Sequence, residues 1–316
     1  MKTALTIGNF DGVHLGHKRL IHRVLDFASE HGLTPALLTF DPHPTRVVAP
    51  DRAPCLLTNL EQRKQLLHAE GIEYIEVLPF TSETAKLTPR EFIEQVVVGK
   101  LHARAVVVGH NFRFGNKAAG NVEMLREFGR EFGFDTAVVE PLAWRGVVIS
   151  SSEIRARIQA GDVSRACRML GRPYVLEGDV VQGQGVGSKK TVPTLNLSTK
   201  AECLPAVGVY ITRTHDRGAR TPACSVHTHV NADRTWQSVT NVGYRPTFGS
   251  DDHLTIETFL LEPLDGATPS TIAIEFLKRL REERKFENPE ALKAQILRDV
   301  DRALKFYRRS SAFMSG

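Results

Sequence analysis

Short, mostly apolar runs alternate with longer segments whose apolar residues recur every third or fourth position, and this alternation holds through the first half of the chain. The runs Ala4–Ile7, Ala36–Phe40, Tyr74–Leu78, Ala105–Val108 and Ala137–Val139 have the composition of strands covered on both faces, as in a parallel sheet. Between them, Leu20, Ile21, Val24, Leu25 and Ala28 are spaced for one face of a helix. Thr58-Asn59-Leu60-Glu61 and Thr88-Pro89-Arg90-Glu91 carry the capping-box spacing, with Pro89 at the first helical position and Gly71 closing the first of the two helices. Ser150-Ser151-Ser152-Glu153 opens a further helix. Strand and helix in alternation with short connections predict a doubly wound, Rossmann-like α/β domain, which binds its ligand at the carboxyl ends of the strands.

After Gly171-Arg172-Pro173 the pattern changes. Val175–Val181, Gly208–Thr212, Val239–Val242 and Leu254–Leu261 are separated by Gly, Pro, Asn and Asp with no helical segment between them, which predicts an antiparallel β-barrel. One helix closes the chain, capped by Asn288, with Pro289 in its first turn and an apolar stripe of Leu292, Ile296, Val300, Ala303, Leu304 and Tyr307. The domains are therefore expected at residues 1–171 and 172–316. A chain of 316 residues is long enough for two domains that each bury a core.

The net charge of +5 suits anionic partners, but no block of like charges or basic stripe interleaved with aromatics points to nucleic acid. Cys55, Cys167, Cys203 and Cys224 are far apart and suggest neither a zinc site nor a disulfide framework. Nothing near Met1 reads as a signal peptide and no apolar run spans a membrane. The expectation is a cytoplasmic protein, monomeric or weakly self-associating. Lys189, Lys190, Arg245 and the charged run Lys278–Lys285 read as solvated faces.

Gly8-Asn9-Phe10-Asp11-Gly12-Val13-His14-Leu15-Gly16-His17-Lys18 stands between the first strand and the first helix. A helix entrance presents free N–H groups and the positive end of the dipole, so it favours phosphate. Two histidines there are unfavourable unless a polyanion compensates them. The stretch resembles the HxGH signature of the nucleotidyltransferases. Its longer form, GNFDGVHLGH, is similar to the adenylyltransferase half of bifunctional riboflavin kinase/FAD synthetase. Gly109-His110-Asn111-Phe112-Arg113-Phe114-Gly115 and Ile149-Ser150-Ser151-Ser152-Glu153-Ile154-Arg155 resemble that family's GxNFxFG loop and ISSxxIR triphosphate motif. By this resemblance His14 and His17 act in adenylyl transfer. Gly8, Asn9, Phe10, Gly16, Asn111, Arg113, Ser150, Ser151 and Arg155 bind ATP and its phosphates.

In the second half, Pro193-Thr194-Leu195-Asn196 resembles the PTxN motif of riboflavin kinase. The resemblance implies that Thr194 and Asn196 hold Mg²⁺ with ATP and that the loop bearing Gly183, Gly185 and Gly187 covers the phosphates. Asn241-Val242-Gly243-Tyr244-Arg245-Pro246-Thr247-Phe248 and Thr255-Ile256-Glu257-Thr258 resemble two further kinase segments, and Glu257 is the implied general base. Strand alternation sets Glu257 opposite Ile256 and on one face with Thr255 and Phe259. The chain departs from the family where GFPTxN reads Thr191 to Asn196 and where Leu264-Asp265-Gly266 stands in place of LYG. The implied enzyme makes FMN from riboflavin and ATP, then FAD and pyrophosphate from FMN and ATP, with flavins as substrate and product rather than prosthetic groups. Two other readings stay open here: an HxGH adenylyltransferase for another nucleotide-like substrate, and a non-catalytic flavin-binding regulator.

Overall fold

The computed structural model describes residues 1–181, 194–218, 234–245, 253–264 and 266–314. The chain divides into two compact units, Met1–Glu153 and Ile154–Gly316.

The first unit is built on β1 (Thr3–Ile7), α1 (Leu15–His31), β2 (Thr34–Asp41), α2 (Pro44–Val48), α3 (Leu60–Ala69), β3 (Tyr74–Pro79), α4 (Pro89–Glu91), β4 (Ala103–Gly109), α5 (Val122–Phe132) and β5 (Asp135–Val139). α4 runs on into π-helical turns over Phe92–Lys100, and a small hairpin pairs β6 (Ala143–Trp144) with β7 (Val147–Val148). The five long strands form one parallel sheet in the order β3-β2-β1-β4-β5. Successive residues face opposite sides: Leu5, Ile7, Val106 and Val108 join Phe92, Ile93, Leu125 and Phe128, whereas Ala4, Ala105 and Val107 join Ile21, Val24 and Leu67. Both faces are thus covered, and the expected doubly wound sheet is the one observed. β1 has α-linked neighbours on either side, so the gap between β1 and β4 is the point where strand order reverses and a ligand crevice opens.

One expected cap moves by a residue. The α3 cap is Asn59, whose side chain accepts from Gln62 N at 2.8 Å while Gln62 Oε1 accepts from Asn59 N at 3.1 Å. Thr58 Oγ1 is instead turned to the loop after β1, accepting from Gly12 N at 3.1 Å and donating to Asp11 Oδ1 at 3.2 Å.

In the second unit, α6 (Ser151–Gln159) and α7 (Val163–Leu170) lead into β8 (Tyr174–Val181), β9 (Thr194–Ser198), β10 (Gly208–Asp216), β11 (Thr235–Arg245), β12 (His253–Leu260) and β13 (Thr271–Arg281), followed by α8 (Pro289–Met314). α6 straddles the division between the units, and residue 171 is the C-cap of α7. The six strands close an antiparallel barrel in the order β10-β11-β12-β9-β8-β13. Its interior is partly polar: Thr212, Thr214, Ser238, Thr240 and Thr258 are fully buried and bonded to one another at 2.7–3.3 Å. Outside, α8 covers Val209, Ile211 and Val239 with Ala303 and Tyr307.

The expected α8 stripe is rotated. Leu292 is exposed, and the buried line is Gln295, Asp299, Ala303 and Tyr307. The polar members face inward because Arg281 Nε donates to Asp299 Oδ2 at 2.8 Å, Gln295 Nε2 donates to Asp299 Oδ1 at 2.8 Å, and Arg284 donates to Gln295. Part of the charged run Lys278–Lys285 is accordingly structural. β13 contains its first residues, and Arg279 donates to Val207 O at 2.6 Å.

Candidate functional site

β1 ends where Gly8 N donates to Leu38 O at 3.0 Å. The next residues adopt left-handed backbone, with φ of 48° at Phe10, 82° at Gly12 and 39° at Val13. For a buried phenylalanine and a β-branched valine this conformation costs about 1–3 kcal/mol each, so neighbouring contacts must hold it. Asp11 supplies them. Its buried carboxylate accepts from Leu57 N at 3.0 Å, Thr58 N at 3.0 Å and the Thr58 hydroxyl, and Thr58 Oγ1 in turn accepts from Gly12 N at 3.1 Å. Replacement of Asp11 by alanine leaves those buried donors unpaired and should lower stability by about 3 kcal/mol. A urea midpoint unchanged in Asp11→Ala would contradict this account of the loop.

The loop delivers His14 to the N-cap of α1, where its Nδ1 accepts from His17 N at 3.2 Å. That bond occupies the Nδ1 lone pair, so the ring proton sits on Nε2 as a donor. The His14 and His17 rings stack with centroids 3.6 Å apart, and Phe10 lies 4.9 Å from His17. Gly16 lets the ring pack closely: a Cβ there would lie 3.1 Å from His14 Nδ1 and Cε1 and 3.4 Å from Ile149 O, so the ring would have to give way by a few tenths of an ångström. The first turn of α1 carries no acidic residue, which leaves its dipole open to an anion.

Ser151 ties the ISSxxIR motif to this loop, since its hydroxyl donates to Asp11 O at 2.9 Å. Ser150 Oγ accepts from Glu153 N at 3.2 Å and starts α6. Asn111 and Arg113 are exposed on the turn after β4, the strand next to β1, and Phe112 N closes that turn on Gly109 O at 3.0 Å. Arg155 is half-buried on α6 and belongs to the second unit.

The sequence reading missed two polar residues here. The Asn9 side-chain amide lies 3.1 Å from His43 Nε2, and His43 Nδ1 accepts from Thr45 N at 3.3 Å. Arg63, on α3, is 1% exposed and donates to Thr39 Oγ1 at 3.3 Å. Burial pushes the Arg63 guanidinium down, and Asp11 and Asp41 pull it back up. No local sequence signal marks either residue, because both act through contacts distant along the chain.

On the barrel, Glu257 of β12 is directly opposite Asn196 of β9 and Asn241 of β11. Cross-strand partners of this kind have Cβ atoms about 4.5–5.5 Å apart, so Asn241, Glu257 and Asn196 form a polar row. Ile256, Thr258 and Leu260 are buried inside, which puts the half-buried Thr255, Glu257 and Phe259 on the outer face. Thr194 is opposite Phe259 at the edge of the same face. Asn241 Nδ2 donates to Glu283 Oε1 at 3.4 Å. Gly243 makes room for that carboxylate, since a Cβ would lie 2.2 Å from Glu283 Oε1. Gly183, Gly185 and Gly187, with Lys189, Lys190, Pro193 and the segment 246–248, lie outside the described residues.

Models of two protein families match the chain: FAD synthetase over residues 1–153 and riboflavin kinase over residues 170–307. A bifunctional riboflavin kinase/FMN adenylyltransferase of Bacillus subtilis is 33% identical over 310 residues, covering 97% of this chain and 93% of the relative. Its counterpart from Pseudomonas fluorescens is 31% identical over 295 residues, with 93% and 90% covered. A crystal structure titled as a macrolide-efflux protein from Streptococcus pneumoniae superposes with a TM-score of 0.81 at 25% identity, covering 95% of this chain and 93% of the other. Among the described residues no helix is long and apolar enough to cross a membrane.

Proposed function

Because the chain belongs to the family of bifunctional riboflavin kinase/FMN adenylyltransferases, we propose that its two steps run at the two constellations described above, adenylyl transfer in residues 1–171 and phosphorylation in residues 172–316. Riboflavin and ATP give FMN, and FMN and ATP give FAD and pyrophosphate. The observation that carries the assignment is the pairing of two sites of different chemistry in one chain: a stacked histidine pair at a helix entrance, and a carboxylate flanked by two amides on a barrel face.

In adenylyl transfer the FMN phosphate attacks the α-phosphorus of ATP and the P–O bond to pyrophosphate breaks, with no covalent intermediate on the protein. The work is to position two anions and to stabilise the charge that moves onto pyrophosphate. His14, through Nε2–H, and His17 donate to phosphate oxygens at the N-terminus of α1, with Asn111, Arg113, Ser150 and Arg155 as further donors, while Ser151 holds the loop through Asp11 O. Gly8, Asn9, Phe10 and Gly16 shape the floor on which the nucleotide rests.

In phosphorylation Glu257 accepts the proton of the terminal ribityl hydroxyl as its oxygen attacks the γ-phosphorus of ATP. Thr194 and Asn196 offer hydroxyl and amide oxygens beside that carboxylate, a hard donor set that suits Mg²⁺ bound together with phosphate and water. When bound, the ion neutralises charge on the transferred group. The loop of Gly183, Gly185 and Gly187 is assigned to the phosphates. Further parts of the proposal are a cytoplasmic location and a monomeric or weakly associating chain.

The direct test is incubation with riboflavin, ATP and Mg²⁺ followed by chromatography of the flavins. FMN is expected first and FAD after a lag, and neither should form once Mg²⁺ is chelated. Riboflavin recovered unchanged from the complete mixture would defeat the proposal.

A further inference from the structure

At the amino-terminal edge of the parallel sheet, away from the loops that follow β1 and β4, three arginines line one cleft of about 470 Å³: Arg104 at the start of β4, and Arg126 and Arg130 on α5. The backbone of Gly129 and Gly133 forms part of its wall, and Asp135 is the one carboxylate among its lining residues.

The fold gives a role to two of the three arginines and none to Arg126. Arg126 and Arg130 are four residues apart, a like-charge spacing that disfavours the helix. Each has a glutamate three residues before it, Glu123 and Glu127, at a spacing that allows an ion pair. Among the described residues neither arginine makes an ion pair or hydrogen bond, and Asp135 joins neither of them. Arg104 donates to the Gly133 carbonyl at 3.4 Å at the C-terminus of α5, and Arg130 lies in the last turn, where a cation complements the dipole. Arg126 lies before that turn and has no such role. Three exposed arginines line the cleft against one carboxylate, an excess of positive charge on side chains suited to bind phosphate oxygens.

We propose that this cleft is a binding site for a phosphate-bearing polyanion, separate from both catalytic constellations. Pyrophosphate, which the adenylyl transfer releases, and the flavin phosphate FMN are two sources of the same chemistry.

The test uses the full chain carrying His14→Ala and His17→Ala, so that the adenylyl site is weakened, and titrates it calorimetrically with inorganic pyrophosphate and, separately, with FMN. The same titrations are repeated with Arg126→Gln and Arg130→Gln added, glutamine being an equally good helix former. Loss of one binding event, or its weakening by about tenfold or more, in either titration supports the site and names its source. Isotherms for both anions that are unchanged by the arginine substitutions overturn it. In an otherwise unaltered chain, Arg126→Gln/Arg130→Gln should leave the saturated rates of both reactions intact. A collapse of the adenylyl-transfer rate would assign the arginines to catalysis and equally overturn a separate site.

Discussion

Glu257→Gln is expected to slow formation of FMN from riboflavin by about 10²–10⁴-fold while leaving conversion of supplied FMN to FAD at the rate of the unaltered protein. Glutamine keeps the size of the side chain and its place between Asn196 and Asn241, but it cannot accept the proton of the ribityl hydroxyl. The loss should therefore fall on kcat for phosphorylation and much less on KM for riboflavin. Chromatography of the flavins, with riboflavin and FMN supplied in separate reactions, reads both halves. Full phosphorylation by the glutamine variant would remove Glu257 as base, and loss of both reactions would point to a folding defect rather than to chemistry.

The complementary result is expected from His14→Ala/His17→Ala. Each charge-assisted hydrogen bond to phosphate contributes about 1.5–3 kcal/mol, so loss of two should slow adenylyl transfer by about 10²–10⁴-fold. FMN should then accumulate from riboflavin and ATP and stop there. The effect has a structural part as well. His14 Nδ1 caps α1 through His17 N, and its removal leaves that N–H unbonded at a cost of about 1 kcal/mol. A His14→Asn variant separates the two contributions, because asparagine restores a cap but not an imidazole Nε2–H. Recovery of stability without recovery of FAD formation is the expected pattern. Recovery of both would show that the histidine acts only on the helix.

The fold class and the face of the key carboxylate were legible because both depend on periodicity. A strand buried on both sides must be apolar at every position, and β1, β2 and β4 are nearly so. Alternation alone puts Glu257 opposite Ile256. The misread positions share a different cause, a partner far away in sequence. Thr58 carries the signature of a cap, yet Asp11 takes its hydroxyl from 47 residues upstream, and the cap passes to Asn59. The α8 stripe reads as leucine and isoleucine, yet Asp299 and Gln295 turn inward because Arg281 arrives from the end of β13. β13 itself was hidden by its charges, which are satisfied by a carbonyl, by α8 and by the His215–Arg213–Glu275 group. Asp11, His43 and Arg63 make similar long-range contacts around the loop after β1, and local pattern does not identify them.

The hydroxyls inside the barrel have a consequence for the chemistry outside it. A strand that slips by one position reverses every side chain, so Thr258 and Glu257 are alternatives for the same interior place. An apolar lining already opposes such a slip, because it would expose the buried set. The hydroxyls add a directional demand: Thr258 meets Thr240 at 2.9 Å and Thr214 at 3.3 Å, and a shifted β12 would leave those groups unpaired while carrying a carboxylate into the interior. The threonine and serine lattice thus acts as a vernier for β12, fixing from within which residue is offered to the substrate, and conservative changes such as Thr240→Val should first appear as lost fidelity of strand alignment rather than as lost compactness.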